Sequence, residues 1–138
     1  LCRGAGYIYI AHVGDSRIYL YRDGEFKQIS VDHTIVQVLL EKGKITEEEA
    51  MNHPQRHVLT RAVGVDENLI VDSGAFETQP KDRILICSDG LTSFIQKDEL
   101  REAIGDYSRT EREIIHDFFA RVYENGANDN ITAILTTI

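Results

Sequence analysis

Three aspartates occur in similar local settings, and their carboxylates are the clearest candidates for chemistry in this sequence. Asp15 follows a glycine, Asp89 precedes a glycine, and Asp129 is flanked by two asparagines. Each lies at one end of a predicted strand, and carboxylates at strand ends can converge at one rim of a sheet. Their oxygens are the ligands that hard cations such as Mg²⁺ or Mn²⁺ prefer. Asp-Gly and Asn-Asp-Asn are also common turn sequences, so the residue types alone favour turns over metal ligands.

The histidines have a structural and a functional interpretation. His53 and His57 are four residues apart, which on a helix would suit zinc, but Pro54 between them argues against helical geometry. We therefore do not expect a zinc site there. His12 and His33 are predicted to form structural hydrogen bonds within the fold.

The composition is that of an ordinary globular protein with an acidic excess. The 138 residues include 42% hydrophobic and 28% charged side chains, and the formal net charge is -8. This length fits one domain or a large piece of one. The negative charge argues against a nucleic-acid partner, whose phosphates bind basic surfaces. It is compatible with a carboxylate site that holds divalent cations.

Cysteine usage and hydropathy indicate a cytoplasmic protein. The two cysteines, Cys2 and Cys87, provide no disulfide framework, and Cys87 stands in an apolar run that predicts burial. No apolar stretch approaches the roughly 20 residues that cross a bilayer, so no membrane segment is expected in this chain. Nothing in it resembles a signal peptide.

The strands that must position these side chains are indicated by β-branched and aromatic runs. Asp23-Gly24 is a strong two-residue hairpin signal within the first cluster, because both positions of such a turn require positive φ. The Gly14-Asp15 dipeptide predicts a tight connection between two strands of that cluster. The predicted strand regions are 7–31, 69–76, 83–87 and 131–138.

The helices are indicated by apolar spacing and by end signals. Two capping boxes, Thr46 with Glu49 and Thr110 with Glu113, predict the starts of a short and a longer helix. The other expected ends are Asp32 as an N-cap and stops at Gly43, Gly105 and Asn125. Because strands come in a cluster, then helices, then more strands, the pattern predicts an α+β fold with antiparallel sheet.

Short motifs recur in order along nearly the whole chain. They occupy residues 11–17 (with Gly-Asp-Ser-Arg), 32–34, 43–50, 53–56, 59–64, 88–92 and 129–132. One Asp-Gly alone would be no evidence, but this ordered set is specific. It resembles the bacterial branch of the PP2C (PPM) family of metal-dependent protein serine/threonine phosphatases.

The resemblance implies a PP2C-like four-layer α/β/β/α sandwich of antiparallel sheets, present here as an incomplete piece. Residues 1–138 would be the C-terminal portion of the phosphatase domain, with a flap subdomain at about 43–60. The family's early acidic motif, its Asp-Gly-rich motif and its phosphate-binding arginine have no counterpart here. Since Leu1 runs almost directly into a strand pattern, we expect the chain to be cut from something longer.

The resemblance also implies an activity, which is the hydrolysis of phosphoserine and phosphothreonine in proteins by a metal-activated water. Asp89 and Asp129 would bind one of two catalytic Mn²⁺ or Mg²⁺ ions, and Asp15 with Asp89 would hold the third ion seen in many members. The family pattern assigns this chain no catalytic residue beyond these ligands. The expected partners are phosphorylated proteins and a eukaryotic-type Ser/Thr kinase.

Three points stay open at this stage. Because ligands are missing, the chain alone is expected to have little activity, and a pseudophosphatase-like binding or regulatory module is the alternative. A third and weaker possibility is a remnant that pairs its open sheets with a second copy. In the family pattern Arg17 and Arg61 are ion-pair partners rather than phosphate contacts. His57 stands where bacterial relatives often have Asn or Ser near the third metal, so its role is undecided.

Overall fold

The structure is a computed structural model that describes residues 1–4, 6–65, 67–127 and 129–138. Within these ranges the strands are β1 (Cys2–Gly4), β2 (Tyr7–His12), β3 (Arg17–Arg22), β4 (Glu25–Gln28), β5 (Asp72–Glu77), β6 (Arg83–Cys87) and β7 (Ala133–Thr137). The helices are α1 (Ile35–Glu41), α2 (Glu47–Met51), α3 (Asp89–Thr92), α4 (Lys97–Gly105) and α5 (Glu111–Glu124). None of these helices combines the length and the apolar character needed to cross a bilayer.

The strands form two antiparallel sheets that pack face to face. The three-stranded sheet has the order β1-β2-β5, and the four-stranded sheet has the order β4-β3-β6-β7. Ile8 of the first sheet meets Ile18 and Ile84 of the second in an apolar layer between them. The predicted α+β fold with paired antiparallel sheets is therefore confirmed.

Helices α3, α4 and α5 cover the other face of the four-stranded sheet. Ile114, Phe118 and Val122 lie on one stripe of α5 and are fully buried. They pack against Leu85 and Cys87 of β6, so the predicted burial of Cys87 is confirmed. The described residues thus form three layers of the expected four-layer sandwich: one layer of helices and two sheets.

Local signals placed most element ends correctly. Asp23 and Gly24 have φ angles of 51° and 87°, which are the positive values that the hairpin signal predicts. Thr46 and Thr110 each cap a helix through a complete capping box. These features depend on residues at most three positions apart, which explains why the sequence reveals them.

Two expectations about helices were wrong. The N-cap of α1 is Thr34, whose side chain accepts the Gln37 N–H, and not Asp32. The Asp32 carboxylate is instead bound by the Arg17 guanidinium in a two-point ion pair at 2.7 and 2.8 Å. Hydrogen bonds from a charged, half-buried guanidinium are stronger than those from the neutral N–H groups at a helix end. The short helix α3, at Asp89, was expected only as the end of a strand.

The predicted connection at Gly14 joins two strands, but the strands belong to different sheets. Strand β2 lies in the three-stranded sheet and β3 in the four-stranded sheet, so residues 13–16 cross between them. Gly14 has a φ angle of 107°, a conformation that side chains rarely adopt. The crossing brings Asp15 to one end of the sandwich.

Candidate metal site

Asp15 and Asp89 lie at the same end of the four-stranded sheet, because Asp15 precedes Arg17 by two residues and Asp89 follows Cys87, the β6 partner of Arg17, by two. Burial raises the pKa of the Asp15 carboxyl, and the nearby negative charge of Asp89 raises it further. A partly buried carboxylate beside a second negative charge marks a position at which a cation would be stabilised. The two sequence-predicted residues, 74 positions apart, are therefore neighbours in space.

Asp129 approaches the same region from the loop before β7. A Cβ atom at Gly90 would lie 3.7 Å from the Asp129 Cβ and only 2.5 Å from the Asn130 carbonyl oxygen. The two segments are also joined directly, because Ser88 N–H donates to Thr132 O at 3.0 Å. Gly90 thus permits a close approach that no larger residue allows. Asn128, which completes the local setting of Asp129, lies outside the described residues.

The chemistry of these side chains fits a hard divalent cation, but the described residues do not by themselves complete a site. The donors are carboxylate oxygens, which suit Mg²⁺ or Mn²⁺ rather than soft metals. In ranges 1–4, 6–65, 67–127 and 129–138, no three His, Cys, Asp or Glu side chains are grouped so that they could hold a metal ion. Further ligands would have to come from outside this set.

Arg17 connects two segments beside the candidate metal site. Its guanidinium binds Asp32 and also donates from Nη1 to the Thr92 hydroxyl at 3.2 Å. Since Arg17 begins β3 and Thr92 ends α3, this contact ties the strand that follows Asp15 to the helix that begins with Asp89. The prediction that Arg17 is an ion-pair partner is confirmed.

The histidine predictions have mixed outcomes. His33 is buried and hydrogen-bonded on both ring nitrogens, to Gly14 N–H and to the Asp72 carboxylate, as predicted. His12 is buried, yet neither of its ring nitrogens has a hydrogen-bond partner among the described residues, so that prediction was wrong. Arg61 pairs with Asp72 at 2.7 Å, which confirms its predicted ion-pair role.

His53 and His57 do not lie on a helix, because α2 ends at Met51 and residues 54–57 are in turns. The His53 Nδ1 accepts the Gln55 N–H within this turn region. His57 instead turns toward the candidate metal site, where its Nδ1 lies 3.5 Å from Asp89 Oδ2.

Asp72 is the site-region residue that sequence reasoning missed. It lies 39 positions from His33, and nothing in its local sequence distinguishes it from a surface carboxylate. In the sequence, only the partners of Asp72 lie in recognisable motifs: His33 in the run 32–34 and Arg61 in the run 59–64. The contact itself depends on how β5 is placed in the fold.

Comparisons with known proteins agree on one family. The family model described as "Protein phosphatase 2C" matches residues 1–68. The serine/threonine phosphatase stp of Listeria monocytogenes is 40% identical over 128 residues, which are 93% of this chain and 50% of that protein. The chain spans about half the length, or less, of the curated relatives it matches.

Solved structures give the same result. The Mycobacterium tuberculosis serine/threonine phosphatase PstP/Ppp superposes with a TM-score of 0.91 at 34% identity, over 99% of this chain and 57% of that one. The catalytic domain of PstP in complex with two manganese ions gives a TM-score of 0.81 at 33% identity, over 96% and 54% of the two chains. At these identities the likeness extends beyond the fold.

Proposed function

The chain belongs to the protein phosphatase 2C family, and from this membership we propose that it supplies three metal-binding carboxylates to a protein serine/threonine phosphatase. It would be the C-terminal portion of the phosphatase domain, with a flap at about 43–60. The observation that carries the proposal is the antiparallel pairing of β3 with β6, which places Asp15 and Asp89 at the same end of the sheet.

Asp89 and Asp129 would hold one of two catalytic ions, Mn²⁺ or Mg²⁺, and Asp15 with Asp89 would hold a third. Bound divalent ions supply an activated water and neutralise the charge of the transferring phosphoryl group. The chain's own residues act by orientation. Gly90 allows the Asp89 and Asp129 segments to meet, and Arg17 fixes β3 against α3. The solved PstP catalytic domain in complex with two manganese ions supports this assignment.

The proposed substrates are phosphoserine and phosphothreonine side chains of proteins, phosphorylated in the cytoplasm by a eukaryotic-type kinase. The acidity of the site supports a metal requirement. Neighbouring carboxylates at Asp15 and Asp89, on a chain with net charge -8, repel a phosphate dianion. Binding of phosphate therefore depends on cations that reverse the local charge, and a chelator should abolish it.

A binding or regulatory module without catalysis is the second candidate. It is favoured by the lack of a three-ligand group among the described residues. The two candidates differ in what the full-length protein should do. An enzyme releases phosphate from phosphopeptides only when Mn²⁺ or Mg²⁺ is present, whereas a regulatory module binds the phosphopeptide and leaves it intact.

The test compares Asp89→Asn with Asp98→Asn in the full-length protein that carries this chain. Asp98 is a matched control, because its side chain is 87% exposed on α4. We expect Asp89→Asn to lower kcat on a phosphothreonine peptide by about 100-fold or more, since it removes a proposed ligand. Asp98→Asn should keep full activity. Equal activity of the two variants would refute the assignment of Asp89.

The chain as printed should release little phosphate from the same peptide or from p-nitrophenyl phosphate, because the carboxylates that it contains form only part of the proposed site. Robust Mn²⁺-dependent turnover by this chain alone would show that the described ligands suffice. That result would contradict our proposal that the other ligands lie elsewhere in the protein.

A further inference from the structure

Three side chains form a hydrogen-bonded series that ends on the residue before Asp15. Arg61 Nη1 donates to Asp72 Oδ1 at 2.7 Å, and Asp72 Oδ2 lies 3.0 Å from His33 Nε2. His33 Nδ1 accepts the backbone N–H of Gly14 at 3.1 Å. The inner end of the series is shielded from water, because Gly14 is buried and His33 is 4% exposed.

The contacts determine which nitrogen of His33 carries the hydrogen. Gly14 N–H is a donor, so the Nδ1 atom that faces it must present a lone pair. The hydrogen of the neutral ring is therefore on Nε2, where the Asp72 carboxylate, which only accepts, receives it. Arg61 Nη1 also lies 3.2 Å from Nε2, but two donors cannot bond to each other, so the bond of Arg61 is to Asp72.

His33 holds the Gly14 peptide at two points. Besides accepting at Nδ1, it donates its own backbone N–H to Gly14 O at 2.8 Å. The His12 ring packs against the His33 ring with centroids 4.9 Å apart, which restricts rotation of the imidazole. Gly14 has a φ angle of 107°, so an unusual backbone conformation is fixed immediately before Asp15.

We propose that His33 is a positioning residue for the Asp15 carboxylate, and that Asp72, oriented by Arg61, keeps His33 in the tautomer that this role requires. The inference rests on the proposed function, because it takes Asp15 as a ligand of the third metal ion. A side chain that fixes the conformation next to a ligand affects metal affinity without touching the ion. If His33 loses its Nδ1 acceptor, the buried Gly14 N–H is left without a partner and the crossing can relax.

Two substitutions of similar size distinguish the role of the His33 Nδ1 atom from that of its Nε2 atom. His33→Asn keeps an acceptor oxygen near the position of Nδ1, and His33→Gln moves its polar atoms toward the position of Nε2. In the full-length protein, calorimetric titration with Mn²⁺ should resolve one equivalent of bound Mn²⁺ that is lost in Asp15→Asn. We expect His33→Gln to weaken this equivalent about tenfold, while His33→Asn stays within about threefold of the parent.

Asp72→Asn provides a variant that should fold normally, because the Asp72 side chain is 47% exposed. An amide can donate to Nε2 as well as accept from it, so it no longer selects the required tautomer. We expect Mn²⁺ binding to weaken in the same direction as in His33→Gln. Asp98→Asn is the control, with unchanged binding. Thermal unfolding of each variant identifies any loss of affinity that comes from loss of the fold.

A spectroscopic measurement tests the hydrogen bond itself. In ¹⁵N-labelled protein without metal, the Gly14 N–H···Nδ1 bond of His33 should give a through-bond ¹⁵N–¹⁵N coupling between Gly14 N and His33 Nδ1. Absence of this coupling would overturn the inference, as would unchanged Mn²⁺ binding in His33→Gln when Asp15→Asn is defective. If Asp15→Asn also binds Mn²⁺ normally, both the proposed role of Asp15 and the inference about His33 fail.

Discussion

The outer faces of the two sheets differ in what covers them. On the four-stranded sheet, Leu85 and Phe118 are fully buried between strands and helices, whereas Tyr7 and Tyr9 on the outer face of the three-stranded sheet are 43% and 50% exposed. The residues opposite Tyr9 and its neighbours on β5 are also exposed on that face. Burial between sheet and helices is therefore concentrated on one side of the sandwich. The described residues do not form the expected fourth layer, which would be helices on the outer face of the three-stranded sheet.

This asymmetry places stability and chemistry in different parts of the molecule. The helix-covered layer buries large side chains such as Phe118, which contribute most of the apolar stabilisation. The candidate site lies where the chain crosses from one sheet to the other, at Asp15, and receives Asp89 from the start of α3. Substitutions on the two outer faces should consequently have very different effects, while those at the crossing should affect metal binding.

The largest effect is expected in the helix layer, from Phe118→Ala. The Phe118 side chain is fully buried against the four-stranded sheet, so its removal leaves a cavity and should lower the free energy of unfolding by about 4 kcal/mol. Urea unfolding at pH 7 measures this loss. A loss below about 1 kcal/mol would mean that the helices are not firmly packed on the sheet, and the comparison of the two faces would fail.

A smaller but pH-dependent effect is expected at the ion pair that links the sheets. Arg22 of β3 donates to both oxygens of the buried Asp82 carboxylate, at 2.8 and 2.6 Å, and also to Glu77 O at the end of β5. Arg22→Met leaves the Asp82 charge buried and unpaired, which should cost about 3 kcal/mol at pH 7. The control is Arg101→Met, whose partner Asp98 is exposed, with a change below about 0.5 kcal/mol.

The sign of the pH dependence follows from the pKa of Asp82. Burial by itself raises this pKa, but the hydrogen bonds from Arg22 and from Gln79 N–H outweigh burial, and the pKa in the fold is lowered. The stabilisation is therefore present above the ordinary carboxyl pKa of about 3.9 and is lost as the pH falls through the lower folded value. The difference between parent and Arg22→Met should shrink from pH 7 to pH 3. A constant difference would contradict the ion-pair explanation.

The sequence predicted features that depend on neighbouring residues and missed those that depend on distant ones. The hairpin at Asp23 and the capping boxes at Thr46 and Thr110 were correct, because their hydrogen bonds and φ requirements lie within a few positions. Asp32 looked like an N-cap by the same local logic, but an arginine 15 positions away binds its carboxylate more strongly. Local sequence patterns carry no information about a competing partner that is distant in the sequence.

The candidate site shows the same division. Its three aspartates stand out in the sequence because they lie at strand ends in turn-forming stretches, and their role as metal ligands stays a prediction. The contact of Asp72 with His33 could not be predicted, since it requires knowing that β5 pairs with β2 so that His12 opposes Asp72. Sheet pairing of this kind is set by the whole fold.

In the candidate metal site, Gly90→Ala should have an intermediate effect on stability and a clear effect on metal binding. The added Cβ would meet the Asn130 carbonyl oxygen at 2.5 Å, so the Asp129 segment must move away from Asp89. We expect a loss of about 2 kcal/mol and weaker Mn²⁺ binding by calorimetry. Gly74→Ala is the control in the three-stranded sheet, because its Cβ would make only ordinary contacts at 3.8 Å with Ile10. Equal effects of the two substitutions would show that the close approach at Gly90 is unimportant.

The smallest effect is expected on the exposed outer face, from Tyr9→Ser in the chain as printed. Tyr9 is 50% exposed, and the centroid of its ring lies 6.5 Å from that of the Tyr7 ring. Its loss should therefore lower the free energy of unfolding by less than about 1 kcal/mol, which is the range of strand propensities. The same substitution in the full-length protein sharpens the comparison. If a fourth layer covers this face there, the cost should rise to about 3 kcal/mol; an unchanged small cost would mean that the face stays open in the complete protein.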